Sequence, residues 1–94
     1  MIRFEWDPQK EKQNWNKHGV SFSQAKEVFL DPLRVIIEDL DHSDKEKRWF
    51  CLGQIKGEIL TVRFTARAGN VRIFGAGYWR KGKKRYEEEN KIHG

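Results

Sequence analysis

After a short alternating stretch over residues 2–6, Ile-Arg-Phe-Glu-Trp, which reads as a strand, apolar positions recur at helical spacing as far as residue 31. Asp7-Pro8 supplies an N-cap followed by proline at the first helical position, where its missing N–H costs nothing. That helix runs to about His18 and stops at Gly19. Ser21-Phe22-Ser23-Gln24 fits a capping box for a second helix, with Phe22, Ala25, Val28 and Phe29 on one face and Asp31-Pro32 as its end. From Leu33 the period becomes two. Strands are expected over residues 34–40, 48–55, 58–66 and 70–78, with turns at Lys56-Gly57 and Ala68-Gly69-Asn70 and a polar loop over residues 42–46. The last three strands form an antiparallel meander. Residues 80–92 close the chain as a helix. The expected fold is α+β, with two N-terminal helices and one C-terminal helix packed on an antiparallel sheet, in one domain over residues 1–94.

Alternation also assigns faces. Leu60, Val62 and Phe64 with Val71 and Ile73 form an apolar face for the helices to cover. The other face carries Arg63, Arg72, Phe74 and Tyr78, bases interleaved with rings. Phosphates call for a guanidinium fork and unpaired bases for a ring to stack on, so this face suits single-stranded nucleic acid. An ordinary half-exposed sheet with solvent-side arginines has the same pattern.

Composition sharpens the picture where it is uneven. Residues 1–46 hold 7 Lys/Arg and 10 Asp/Glu, whereas residues 47–94 hold 12 and 4, which together give the net +5. One acidic and one strongly basic half suit a nucleic-acid ligand plus an acidic partner, and many ribosome-associated or merely soluble basic domains share the imbalance. A single cysteine, Cys51, excludes an internal disulfide and reads as core in a reducing cytoplasm. No apolar run approaches the roughly 18 residues of a membrane span, and the charged start Met-Ile-Arg-Phe-Glu is unlike a signal peptide. The acids between Glu38 and Asp44 lack any metal-ligand spacing, and no phosphate loop or paired CxxC occurs, so neither metal nor cofactor is expected.

The densest charge is the run Arg80, Lys81, Lys83, Lys84, Arg85. Lys83–Glu87, Lys84–Glu88 and Arg85–Glu89 are i,i+4 pairs, each worth about 0.2–0.5 kcal/mol in the poorer base-before-acid order. Arg80 and Lys81 have no such excuse. Four residues on they meet Lys84 and Arg85, and they sit at the positive end of the helix dipole. Beside Tyr78-Trp79, these misplaced bases favour a corner that grips phosphate. His18, next to the glycine stop, either caps and packs or carries a proton.

Phe4-Glu5-Trp6-Asp7, the run Lys17-His18-Gly19-Val20-Ser21-Phe22, Asp31-Pro32, Asp41-His42-Ser43, Arg48, Leu52-Gly53, Val62-Arg63-Phe64-Thr65 and the ending Arg72-Ile73 to Arg85-Tyr86-Glu87 resemble BrnT-family toxins over nearly the whole chain. The resemblance implies a RelE-like fold and the toxin half of a type II toxin–antitoxin pair. Such a toxin is a cytoplasmic ribonuclease that cleaves mRNA, on or off the ribosome, and arrests translation. It implies a cognate BrnA-type antitoxin, through which alone operator DNA is contacted. The chain departs from the many members with Ser-Ala-Arg where it has Gly75-Ala76-Gly77: either Arg80 takes over that charge or this branch is a weaker or inactive nuclease. Cleavage by the RNA's own 2′-OH needs no metal, only proton carriers and charge on the phosphate. The catalytic candidates are His18, Arg63, Arg72, Tyr78 and Arg80. Lys17, Phe74, Trp79, Lys81, Lys83, Lys84, Arg85 and Tyr86 are the RNA contacts, with Tyr86 a further possible proton carrier. The alternative is a non-catalytic module binding nucleic acid or antitoxin.

Overall fold

Five strands, β1 (Arg3–Glu5), β2 (Val35–Glu38), β3 (Trp49–Ile55), β4 (Glu58–Arg67) and β5 (Asn70–Gly77), form one sheet in a computed structural model that describes residues 2–91. Their order across the sheet is β1-β5-β4-β3-β2. The meander of the last three strands is as expected: β3–β4 and β4–β5 pair antiparallel, and two-residue turns at Lys56-Gly57 and Ala68-Gly69 take positive φ at both positions, while β2 extends it by pairing antiparallel with β3. The sheet as a whole is mixed rather than antiparallel, because β1 runs parallel to β5 with Phe4 opposite Val71. No local pattern encodes that pairing, which joins the two ends of the chain.

Helix α1 (Pro8–His18) begins where Asp7 accepts the Gln9 N–H at 2.9 Å and ends at Gly19, whose φ of 68° lets its N–H reach the Trp15 carbonyl. Its one buried side chain is Asn14, which donates to the carbonyls of Val20 (2.9 Å) and Ala76 (3.0 Å) and accepts the Ala76 N–H (3.1 Å). This amide gives β5 a hydrogen-bonding neighbour past the end of β1. Helix α2 (Phe22–Ala25) is shorter than expected and tightens into a 3-10 turn over Lys26–Leu30. The turn brings Val28 onto Gly53, where a Cβ would come within 2.6 Å of the valine. Ser21 caps Gln24 N–H as the capping box requires, and Glu11 of α1 takes the Phe22 N–H at 2.8 Å.

The main core lies under α2 and its 3-10 extension, where Phe22, Ala25 and Val28 meet Cys51, Leu60, Val62, Phe64 and Ile73. A second cluster, Leu52, Ile59 and Tyr86, sits on the opposite face, because α3 (Arg80–Glu89) packs there. The helices therefore cover both faces rather than one. The physical reason is that β3 and β4 are apolar at both parities over Cys51-Leu52 and Ile59-Leu60, so the second face also needs a cover. Gly82 makes the approach possible: any Cβ there would overlap the Thr61 hydroxyl.

The expected strand over residues 34–40 is cut back at Glu38, since the chain turns into a 3-10 segment, Leu40–His42. Asp39 anchors the turn, donating its N–H to the Arg48 carbonyl (2.7 Å) and accepting the Ser43 hydroxyl on its own carbonyl (2.6 Å). The closing helix ends at Glu89; the last residue of its expected span, Ile92, lies outside the described residues. Among the described residues no helix is long and apolar enough to cross a membrane.

Candidate nucleic-acid interface

Strict alternation fails at one place in β5, and the site begins there. Phe64 pairs with Ile73 but Arg63 pairs with Gly75, so Phe74 is an extra residue in the strand. The bulge returns Ala76 to the core and leaves Phe74 and Gly75 facing Arg63. Helix α1 stands beside this opening on its Asn14 anchor. Between them is a cleft of about 370 Å³, lined by Lys10, Gln13, Asn14, Lys17, His18, Arg48, Arg63, Phe74, Gly75 and Trp79.

Its electrostatics are one-sided. Four permanent cations and an imidazole line the cleft, and among the described residues no carboxylate does. Arg48 places its guanidinium 4.4 Å from the centre of the Phe74 ring, and the Lys10 ammonium lies 5.2 Å from it. The two acids nearest these arginines are distant partners: Glu46 is 3.8 Å from Arg48 and the buried Asp39 is 3.7 Å from Arg63. Both guanidinium groups keep donors for an anion. His18 meets the edge of Trp79, ring centres 5.5 Å apart at 73°. Trp79 remains more than a third exposed, and it is the free stacking surface, since Phe74 is already engaged by cations.

The cleft gathers Lys17, His18, Arg63, Phe74 and Trp79 from the sequence expectations. It leaves out others, each for a physical reason. Arg72 shares the face with Arg63 but is drawn to Glu5 at 3.9 Å, on the β1 side of the bulge. Tyr78 does not join that face at all, because the bulge reverses parity and β5 ends at Gly77. Tyr78 instead lines a second opening of about 540 Å³ with Trp79, Arg80, Lys83, Glu58 and Ile59. Trp79 borders both openings.

Tyr86 is not on an RNA-facing surface. It is 1% exposed, and its hydroxyl donates to Asp31 at 2.6 Å. Burial first, then that bond and the Asp31 charge, push the phenol up to about 12, which removes it from proton transfer near neutrality. Lys84 and Arg85 pair with Glu88 (4.0 Å) and Glu89 (2.8 Å), so this part of the basic run is a solvated helix face. Lys83 lines the second opening, and no ion pair joins it to Glu87 among the described residues. Arg80 and Lys81 open α3, whose first turn has no acid and whose Trp79 cap makes no side-chain hydrogen bond. Cys51 is buried in the core as expected, its thiol lifted to about 12 chiefly by desolvation.

Lys10 and Arg48 were missed as site residues. Lys10 is one of several lysines on an exposed helix face, and Arg48 precedes a strand. Only their common distance to Phe74 marks them. At Gly77, where the resemblance leads one to expect arginine, a Cβ would lie 3.0 Å from the Trp79 ring. Glycine at 77 and tryptophan at 79 therefore go together, the indole occupying the space of the missing side chain.

A sequence model of the family described as "Ribonuclease toxin, BrnT, of type II toxin-antitoxin system" matches residues 6–83. No curated protein matches the chain.

Proposed function

The chain belongs to the BrnT family of type II toxin–antitoxin ribonuclease toxins, and from that premise we propose that it is an endoribonuclease that cuts RNA in the α1–bulge cleft. The observation that carries the reading is the convergence of Lys17, His18, Arg48 and Arg63 around Phe74 in one cleft without an acid. Arg63 and Arg48 neutralise the scissile phosphate as charge builds on its oxygens. His18 exchanges a proton with the reacting oxygens, and Lys17 holds the neighbouring phosphate. Trp79 stacks a base, and the RNA continues past it into the opening of Tyr78, Arg80 and Lys83, with Lys81, next to Arg80 in the chain, a further contact.

The mechanism is metal-independent. Guanidinium groups supply the positive charge and the RNA supplies its own nucleophile, the 2′-OH. The chain acts as a single toxin domain over residues 1–94, RelE-like in fold, in the cytoplasm. It cleaves mRNA, free or on the ribosome, and so arrests translation. A BrnA-type antitoxin neutralises it and makes the contacts to operator DNA.

The test is incubation of the purified chain with an RNA oligonucleotide in excess EDTA. Cleavage should leave a 2′,3′-cyclic phosphate and a 5′-OH, and a 2′-deoxy residue at the cut site should block it. Cleavage of the 2′-deoxy substrate, or activity that EDTA abolishes, would defeat this mechanism. Binding without any cleavage would support the non-catalytic module instead.

A further inference from the structure

Arg63 touches something besides the cleft. Its guanidinium lies 3.7 Å from Asp39 Oδ2, and the same oxygen lies 2.9 Å from Nδ1 of His42. Asp39 Oδ1 is also within 3.1 Å of that nitrogen. The Asp39 side chain is 6% exposed, whereas that of His42 is 55% exposed. A buried carboxylate thus grips one nitrogen of an imidazole whose ring faces solvent. With both contacts made to one oxygen, Nδ1 of His42 and Nη2 of Arg63 stand no further apart than those two distances laid end to end. His42 does not itself line the cleft but stands beside its Arg63 end, with Nε2 on the side of the ring away from Asp39.

The support around the pair is rigid. Ser43 donates to the Asp39 carbonyl at 2.6 Å and accepts the Arg48 N–H at 3.0 Å, tying the His42 turn to the start of β3. The charged side chain from another element that meets the pair is Arg63 of β4. A carboxylate on Nδ1 keeps the proton of the neutral ring there, which leaves Nε2 as an acceptor.

We propose that His42, oriented by the positioning residue Asp39, is the general base of the cleavage site, with Arg63 shared between the two. The inference rests on the ribonuclease reading above. The 2′-OH gives its proton to His42 Nε2 as its oxygen bonds to phosphorus. The bond from phosphorus to the 5′-oxygen breaks, and that oxygen takes a proton from protonated His18. The products are a 2′,3′-cyclic phosphate and a 5′-OH, and the two imidazoles have exchanged protonation states.

The experiment is the pH–rate profile for cleavage of an RNA with one scissile phosphodiester, for the unaltered chain, His42→Gln and Asp39→Asn. The unaltered chain should lose rate on the acid side as His42 protonates. His42→Gln, at an exposed position, should fold, bind the 2′-deoxy oligonucleotide unchanged, and cleave about a hundredfold more slowly without that acid limb. In Asp39→Asn, nitrogen-15 NMR of His42 should show the neutral-ring proton leaving Nδ1, with the cleavage rate falling in step. A purely structural pair would move neither profile. Cleavage at full rate with an unchanged profile in His42→Gln overturns the inference alone. Absence of cleavage by the unaltered chain overturns the ribonuclease reading and this inference with it.

Discussion

Arg63 and Arg72 look equivalent along the chain, two arginines on one face of neighbouring strands, and the structure separates them. Arg63 lies opposite the bulge, so its guanidinium projects into a gap that Phe74 and Gly75 leave open. Arg72 lies before the bulge, in regular pairing with Thr65, and its nearest acid is Glu5. A surface pair of that length contributes little. Arg63→Ala is therefore expected to lower RNA cleavage by about a hundredfold or more, the range for removing a donor to a developing oxyanion. Arg72→Ala should stay within a few-fold of the unaltered chain. Both should melt cooperatively. Equal losses in the two variants, measured under single-turnover conditions, would show that the site extends across the bulge.

At the scale of elements, α3 does two jobs with two ends. Its C-terminal half is structural: Tyr86 bonds Asp31, and the Asn90 side chain just beyond the helix reaches the Leu33 carbonyl at 2.9 Å. Its N-terminal half carries Arg80 and Lys81 against the helix dipole with no acid in the first turn. Arg80→Glu together with Lys81→Glu should stabilise the domain by about 0.5–1.5 kcal/mol, from the dipole and from new i,i+4 partners in Lys84 and Arg85. RNA affinity should fall in the same variant. Thermal unfolding and fluorescence anisotropy on one preparation decide the matter. A stabilised protein that binds RNA as before would mean that this end of α3 is only a helix start.

The whole molecule's response to pH follows from groups that titrate away from their usual range. Burial alone would raise the Asp31 carboxyl. The Tyr86 hydroxyl, the N–H groups of Gln54 and Leu33, and Arg34 outweigh it and hold the carboxyl below the ordinary 3.8. Its contribution to stability is complete above 3.8 and is lost as pH falls through the lower folded value. Cys51 and Tyr86 are raised from 9.0 and 10.0 to about 12, mainly by burial. What they contribute is whole below pH 9 and drains away as pH rises to 12. The melting temperature should thus be flat across the neutral range and fall on both sides. Tyr86→Phe should cost about 1–2 kcal/mol at neutral pH, the range for a charged hydrogen bond discounted for the solvent that reaches Asp31. Its deficit relative to the unaltered chain should narrow at both pH extremes. A constant deficit from acid to alkali would mean that packing, not the Asp31 bond, is what Tyr86 supplies.

Residues close in sequence determined what depends on neighbours in the chain. Asp7-Pro8 and Gly19 bound α1, and the two turns set the meander, because caps and turns are satisfied within a few positions. Alternation also put Arg63 and Phe74 on one face, since β4 keeps its parity through Arg63 and β5 keeps its own as far as Phe74, the bulged residue itself. Lys17, His18 and Trp79 were legible through motif and composition. Only the tertiary structure decided the rest. Tyr86 looks like any tyrosine beside a basic run until α3 folds onto Leu52 and Ile59 and buries it. Lys10 carries no signal, and Arg48 no more than its place in the family resemblance, until α1 and the β3 entry bring both to one ring. The acids at 38–44 show no metal-ligand spacing, and the i,i+3 contact of Asp39 with His42 has no signature along the chain. Asp39 becomes a buried anchor when the Arg48 carbonyl at the entry to β3 takes its N–H and Arg63 arrives from a strand two places across the sheet. Hydrogen-bonded caps are local chemistry; a cleft is made by surfaces that meet only when the chain has closed.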